Sequence, residues 1–278
     1  MPRYPKMMTR TLNSMQTQII TSDTNEKLKV FKSLTSAKGI KEHQRFILSG
    51  SKLIEEFLNE KLARFKPVCF IFESDTWPYF IKKNTEITKF VIPKAVFKEI
   101  DVVGTNEPLL VLEFKDFEKK DFEKKPIELE LICPLGDPRN LGALVRSAVG
   151  FGVREIILTK ESAHPYLPQA VKASAGAALY AEFKKTDLAL AEIPVIAENI
   201  ALDLEGKVIS AISWPKNLRL WIGEEGPGLK ITAEQKKKLQ FITIPTQRVE
   251  SLNAMVSAAL AIWEWKKSNS SSNSNSKI

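Results

Sequence analysis

The alternation of apolar and polar positions predicts α/β structure along most of the chain. From Asn25, NEKLKVFKSL sets Leu28, Phe31 and Leu34 on one face of a helix. RFILSG reads as a strand, SKLIEEFLNE as a helix opened by Ser51 as N-cap, and VCFIFESD as a second strand. TKFVIP, the helical PKAVFKEI with Pro93 at its start, and PLLVLEF continue the pattern, so residues 25–115 form a small α/β domain. The charged KDFEKKDFEKKP, which repeats DFEKK, reads as a linker over 116–126, with a solvated helix of Glu/Lys pairs as the competing reading.

A second domain spans 127–267. IELELICPL is too apolar to have a wet face and is expected to be a central strand. The loop GDPRN leads into NLGALVRSAVGFG, where Leu141, Leu144, Val145 and Ala148 form a buried stripe and Gly152 ends the helix before the strand REIILT. Strand, helix and strand at this spacing make a βαβ unit with parallel strands. PQAVKASAGAALY follows as a helix and AEIPVIAENI as a strand. A short buried strand then runs through LWIGEEGPGL into a glycine loop, followed by an amphiphilic helix, the strand FITIP, a polar loop and an apolar helix over Leu252–Trp265. In that helix Leu252, Met255, Val256, Ala259, Leu260, Ile262 and Trp263 cover most of the circumference, which predicts burial on all sides or a shared subunit interface. The polar ends, 1–24 and 268–278, are expected to be disordered.

Charge changes this picture in one respect. The chain carries a formal +8 with a pI near 9.3, and most of the excess, +6, precedes Pro126. This favours a polyanionic partner, with RNA ahead of DNA and of an anionic membrane and the first domain suited to hold it, and a merely Lys-rich soluble surface is the bland reading. No run approaches the roughly 18 apolar residues of a membrane span, and no secretory core opens the sequence, so a cytoplasmic location is expected. Arg3, Lys6 and Arg10, with no acid through Ser22, leave an organellar presequence as the alternative. Cys69 and Cys133 lie in apolar strands and are expected to be free. With only His43 and His164 beside them, no zinc spacing exists, and no metal is expected.

Three stretches could carry chemistry. GEEGPG, Gly223 to Gly228, is a glycine loop whose acids repel a pyrophosphate and whose spacing matches neither nucleotide-binding fingerprint; a neutral or cationic ligand suits it, and a plain turn is the bland reading. In RVESLNAM, Ser251 or Asn253 can cap the helix that follows or present polar groups to a ligand at its start. Asn140 and Arg146, about 120° apart on a straight helix, share a site only if Asn140 turns inward at the first turn. Arg146 either pairs with an acid or grips a phosphate bidentately.

Together these stretches resemble the SpoU/TrmH family of RNA ribose 2′-O-methyltransferases, within the SPOUT class. Its first motif is matched by Asn140, Gly142 and Arg146. The second is matched by Gly223, Glu225, Gly226, Gly228 and Leu229, and the third by Ile244, Pro245, Glu250, Ser251, Leu252 and Asn253. KASAGA, Lys172 to Ala177, is a further likeness. The resemblance implies a mostly parallel α/β domain with a deep trefoil knot, in which Gly223, Ile244 and Leu252 hold S-adenosyl-L-methionine. It also implies an L7Ae-like RNA-binding domain over 25–115, a homodimer packed through the last helix, and methyl transfer to a ribose of ribosomal or transfer RNA. Asn140, Arg146, Glu225, Ser251 and Asn253 would form the catalytic set. Arg146 would hold the substrate phosphate, since a guanidinium with a pKa above about 12 is a costly base. Two departures stand out: Glu224 occupies a position where a small or amide residue is more usual, and TQRVE is a residue short and lacks a glycine. A non-catalytic RNA-binding relative is the alternative; a dinucleotide enzyme lacks its G-x-G-x-x-G.

Overall fold

The computed structural model describes residues 17–22, 24–74, 78–196, 198–224 and 228–270. A first sheet holds β1 (Thr17–Ile19), β2 (Arg45–Ser49), β3 (Phe65–Phe72), β4 (Thr88–Val91) and β5 (Leu109–Phe114), in the order β1-β4-β3-β5-β2. Only β5 runs antiparallel to its neighbours. Five helices interleave with these strands: α1 (Glu26–Ser33), α2 (Ala37–His43), α3 (Ser51–Glu60), α4 (Tyr79–Lys83) and α5 (Lys94–Ile100). Because side chains alternate along a strand, Ile47, Cys69 and Ile71 face α1 and α5, while Phe46, Leu48, Phe70 and Phe72 face the rest of the molecule.

The second sheet is wholly parallel. It holds β6 (Glu118–Lys119), β7 (Leu129–Cys133), β8 (Glu155–Leu158), β9 (Phe183–Lys185), β10 (Asn199–Val208), β11 (Leu218–Trp221) and β12 (Gln240–Thr243), in the order β12-β10-β11-β7-β8-β9-β6. Its helices are α6 (Pro138–Phe151), α7 (Pro168–Ala173), α8 (Ala233–Lys238) and α9 (Ala254–Ser270). From β7 the chain builds outward through β8 and β9, then restarts on the other side with β10, so β7 and β11 flank a topological switch point. Gly142 explains how α6 and α7 lie so close: a Cβ there would meet the Ala170 carbonyl oxygen at 2.4 Å.

The two sheets share one apolar cluster. Phe46 of the first stacks on Tyr166 of the second at 4.4 Å between ring centres, with Phe65, Phe114 and Phe117 packed around them. His164 lies against Phe114 and Phe117, and its Nδ1 accepts from the Tyr166 amide at 3.2 Å. Arg64 donates to the carbonyls of Leu179 and Ala181, and the Lys172 ammonium reaches Val103 O at 2.8 Å.

The architecture is the expected α/β one, with a mostly parallel sheet in its second half, and several local readings are corrected. Thr17–Ile19 pairs with β4 instead of being disordered; of the remainder of 1–24, residues 1–16 and 23 lie outside the described residues. Gly50, at φ 98°, takes the N-cap expected of Ser51, whose amide instead donates to Glu107 Oε2 at 2.6 Å. The stretch 116–126 is no free linker. Glu118–Lys119 joins the sheet, Phe122 is buried, and Lys120 pairs with buried Glu130 at 2.8 Å beside Glu155. Fully buried Arg219 bonds Glu130 at 3.0 Å and the carbonyls of Phe122 and Lys124, which latches the strap down. KASAGA breaks the predicted helix, because Ala175 and Gly176 take left-handed conformations. The strand read at AEIPVIAENI begins only at Asn199 and runs on to Val208. The last helix extends to Ser270, into the expected tail, and 271–278 lie outside the described residues. That helix is not buried all round: Met255, Ala258, Ile262 and Trp265 face inward, while Val256, Leu260 and Trp263 are open to solvent.

Candidate active site

The site grows from the ends of β11 and β12. Every residue of β11 is buried, and Trp221 Nε1 donates to Asn199 Oδ1 at 2.8 Å, which fixes where the strand stops. Beyond Ile222 the chain turns sharply: Glu224 and Gly228 exchange two backbone hydrogen bonds, at 3.2 and 3.1 Å. A Cβ at Gly223 would lie 3.0 Å from the Gly228 carbonyl carbon, so a larger residue would need the turn to give by a few tenths of an ångström. After β12, Thr246 Oγ1 donates to Val249 O at 2.7 Å and closes a polar turn. Asn253 then caps α9, its Oδ1 accepting from the amides of Met255 and Val256 at 2.9 and 3.3 Å.

These two loops, with Leu202 to Leu204 from β10, enclose a cavity of about 550 Å³ at the carboxyl edge of the sheet. Its size suits a cofactor or a small substrate. Ile222, Ile244 and Leu252 make an apolar wall; Asp203 and Glu224 bring acids, and Lys236 one cation.

Of the predicted residues, Gly223, Ile244, Leu252, Ser251 and Asn253 all line this cavity. Asn140 and Arg146 do not. Asn140 is half-buried in the first turn of α6, which Asp137 caps, and Arg146 lies exposed further along the same helix. Arg146 makes no side-chain hydrogen bond or ion pair among the described residues, against the reading that it pairs with an acid. Glu225 lies outside the described residues, as do Gly226 and Pro227.

Sequence reasoning missed the contribution of β10, because the strand was placed too early; Gly206 was the available signal. A Cβ there would meet the Ile242 backbone at 2.5 Å, and a glycine within a strand marks such a close approach. Burial pushes the thiols of Cys69 and Cys133 up to about 12 and His164 down to about 3, and none of the three lines the cavity. No helix among the described residues is long and apolar enough to cross a membrane.

A parallel α/β sheet with a cavity walled by its carboxyl-edge loops defines a ligand-binding protein of the open-sheet class. Residues 131–263 match the SpoU rRNA Methylase family. The chain is 30% identical, over 59% of its length and 68% of the relative's, to the 23S rRNA (guanosine-2′-O-)-methyltransferase RlmB of Acinetobacter baylyi. It is 32% identical over 90% of its length to the ribosomal RNA small subunit methyltransferase G 2 of Syntrophobacter fumaroxidans, but spans only 49% of that protein. A solved rRNA methyltransferase from Sinorhizobium meliloti, bound to AdoMet, superposes with a TM-score of 0.71 at 22% identity, over 91% of this chain and 98% of that one, a likeness of fold. The chain belongs to the SpoU family of RNA methyltransferases.

Proposed function

We propose that the protein transfers a methyl group from S-adenosyl-L-methionine to a ribose 2′-hydroxyl of RNA, ribosomal RNA ahead of transfer RNA. The observation that carries this reading is the convergence of Gly223, Ile244, Ser251, Leu252 and Asn253 on one cavity. The residues present fit the cofactor: the apolar wall suits an adenine, the turn at Gly223 lets backbone approach closely, and a lining with more acid than base favours a cation over a polyphosphate. When bound, S-adenosyl-L-methionine supplies a methyl group on a positively charged sulfur.

In this reading Gly223, Ile244 and Leu252 hold the cofactor, within the trefoil knot that the family implies. Arg146, exposed and unpaired among the described residues, grips the phosphate beside the target ribose. Asn140, Glu225, Ser251 and Asn253 orient the ribose and the loops, so that rate comes chiefly from positioning. The first sheet serves as the RNA-holding, L7Ae-like half, and the open face of α9 pairs two copies in the cytoplasm.

Titration calorimetry with S-adenosyl-L-methionine, followed by mass spectrometry of ribosomal and transfer RNA treated with the enzyme, tests this reading. The expected result is saturable binding and a 2′-O-methylated nucleotide in ribosomal RNA. Absence of heat at millimolar cofactor would sink it and favour a non-catalytic RNA-binding relative.

A further inference from the structure

Glu224, the departure from the family pattern, sits at the switch point between β7 and β11. Its Oε1 accepts from the Gly136 amide at 3.2 Å, and its Oε2 is 3.7 Å from the ammonium of Lys230, which is largely exposed. Gly136 belongs to the loop that leaves β7 and runs directly into Asp137, the cap of α6, and then Asn140. The contact therefore spans 88 positions of sequence and joins the two loops that flank the crevice. The fit is close. A Cβ on Gly136 would lie 3.3 Å from Glu224 Oε1 and 3.4 Å from the Glu161 carbonyl oxygen, so the loop passes close to both residues. Glu161 is anchored in turn by the Leu190 amide at 2.9 Å.

We infer that Glu224 is a positioning residue, tying the glycine turn that lines the cavity to the loop that starts α6, so that occupancy of the cavity is transmitted to Asn140 and Arg146. The inference rests on the proposed methyl-transfer reading for its consequence, though not for the tie itself. The turn and α6 bear on different reactants, one on the methyl donor and the other on the RNA, and a displacement between them misaligns the two without loosening either. A glutamate does this where a small residue does not, because its side chain is long enough to bring an acceptor oxygen to the Gly136 amide.

Two substitutions separate the hydrogen bond from the charge. Glu224→Gln keeps an acceptor oxygen at the same reach, and Glu224→Ala keeps neither. Hydrogen exchange in the unliganded protein reads the tie directly: over residues 134–140, Glu224→Ala should exchange faster than wild type and Glu224→Gln should not. In methyl transfer to RNA, Glu224→Ala should lower kcat about tenfold, the loss expected for a hydrogen bond to a charged group. Because Glu224 also lines the cavity, kcat is read at saturating S-adenosyl-L-methionine, and there Glu224→Gln should recover most of the rate. Equal exchange over 134–140 in all three proteins overturns the tie. An equal loss of rate in both variants would assign the effect to charge and overturn the positioning role. Failure of wild type to bind S-adenosyl-L-methionine would count against the donor reading, with the tie still decided by the exchange measurement.

Discussion

Strands of both sheets feed helices from their carboxyl ends, but by connections of very different length. In the first sheet Gly50 alone separates β2 from α3, and Ile92 and Pro93 separate β4 from α5. In the second, residues 222–232 lie between β11 and α8, and 244–253 between β12 and α9. Connections this short build little wall; a hollow of about 270 Å³ on the first sheet lies instead on its face, beside Lys27, Arg45 and Phe90. Long loops carried on a rigid parallel sheet build the cavity and supply its polar groups. Length alone would make such loops floppy. Here backbone pairing at Glu224 and Gly228, the Thr246 turn and the Asn253 cap hold them.

The cavity belongs to the second sheet's loops and the aromatic packing to the junction of the sheets, and that division can be broken at several points. The largest expected effect is on Arg146. Arg146→Ala should abolish methyl transfer with an unchanged melting temperature and donor affinity within a few-fold; collapse of donor binding in calorimetry would make Arg146 structural. Phe46→Ala, in the aromatic junction, should cost about 3 to 5 kcal/mol in urea unfolding, as large-to-small core substitutions do. A cost below about 1 kcal/mol would mean that the sheets do not depend on that cluster.

His164 sharpens the same point through pH. Burial holds its folded-state pKa near 3, below the ordinary 6.5, so the unfolded chain binds the extra proton first. Its contribution to stability is complete above about 6.5 and drains away as pH falls toward 3, by on the order of 5 kcal/mol. In His164→Leu, acid denaturation followed by circular dichroism should be less steep over that window; an unchanged slope would place the acid sensitivity elsewhere. The smallest effect on folding is expected on α9. Val256→Glu with Leu260→Glu should change stability by less than about 0.5 kcal/mol, as exposed substitutions do, yet yield monomers by light scattering. A monomeric wild type would end the interface reading.

Much of the first sheet was legible because its signals are local. Leu28, Phe31 and Leu34 fall on one face at helical spacing, and Asn25 caps α1 from within two residues of the amide it accepts. The cavity-lining loops were legible as motifs, through Gly223, Ile244 and Ser251 to Asn253. The strap over 116–126 was not, since its charged repeat suits a linker as well as a latch, and its place depends on Arg219, nearly a hundred positions away, which bonds the strap's carbonyls and Glu130. The start of β10 was also missed: apolar residues at Ile193 and Val195 imitate a strand, but Ile193 is buried in the cluster around Trp221 while the ladder begins at Asn199.

Periodicity, caps and glycine positions, each a matter of neighbours within about four residues, were enough for the sequence to determine the α/β class and most of its elements. Tertiary structure alone decided that β10 lies outside β11, that Glu224 meets Gly136, and that α9 buries one face and exposes the other. Those outcomes depend on which distant surfaces exclude water together, and no local pattern encodes the choice of partner.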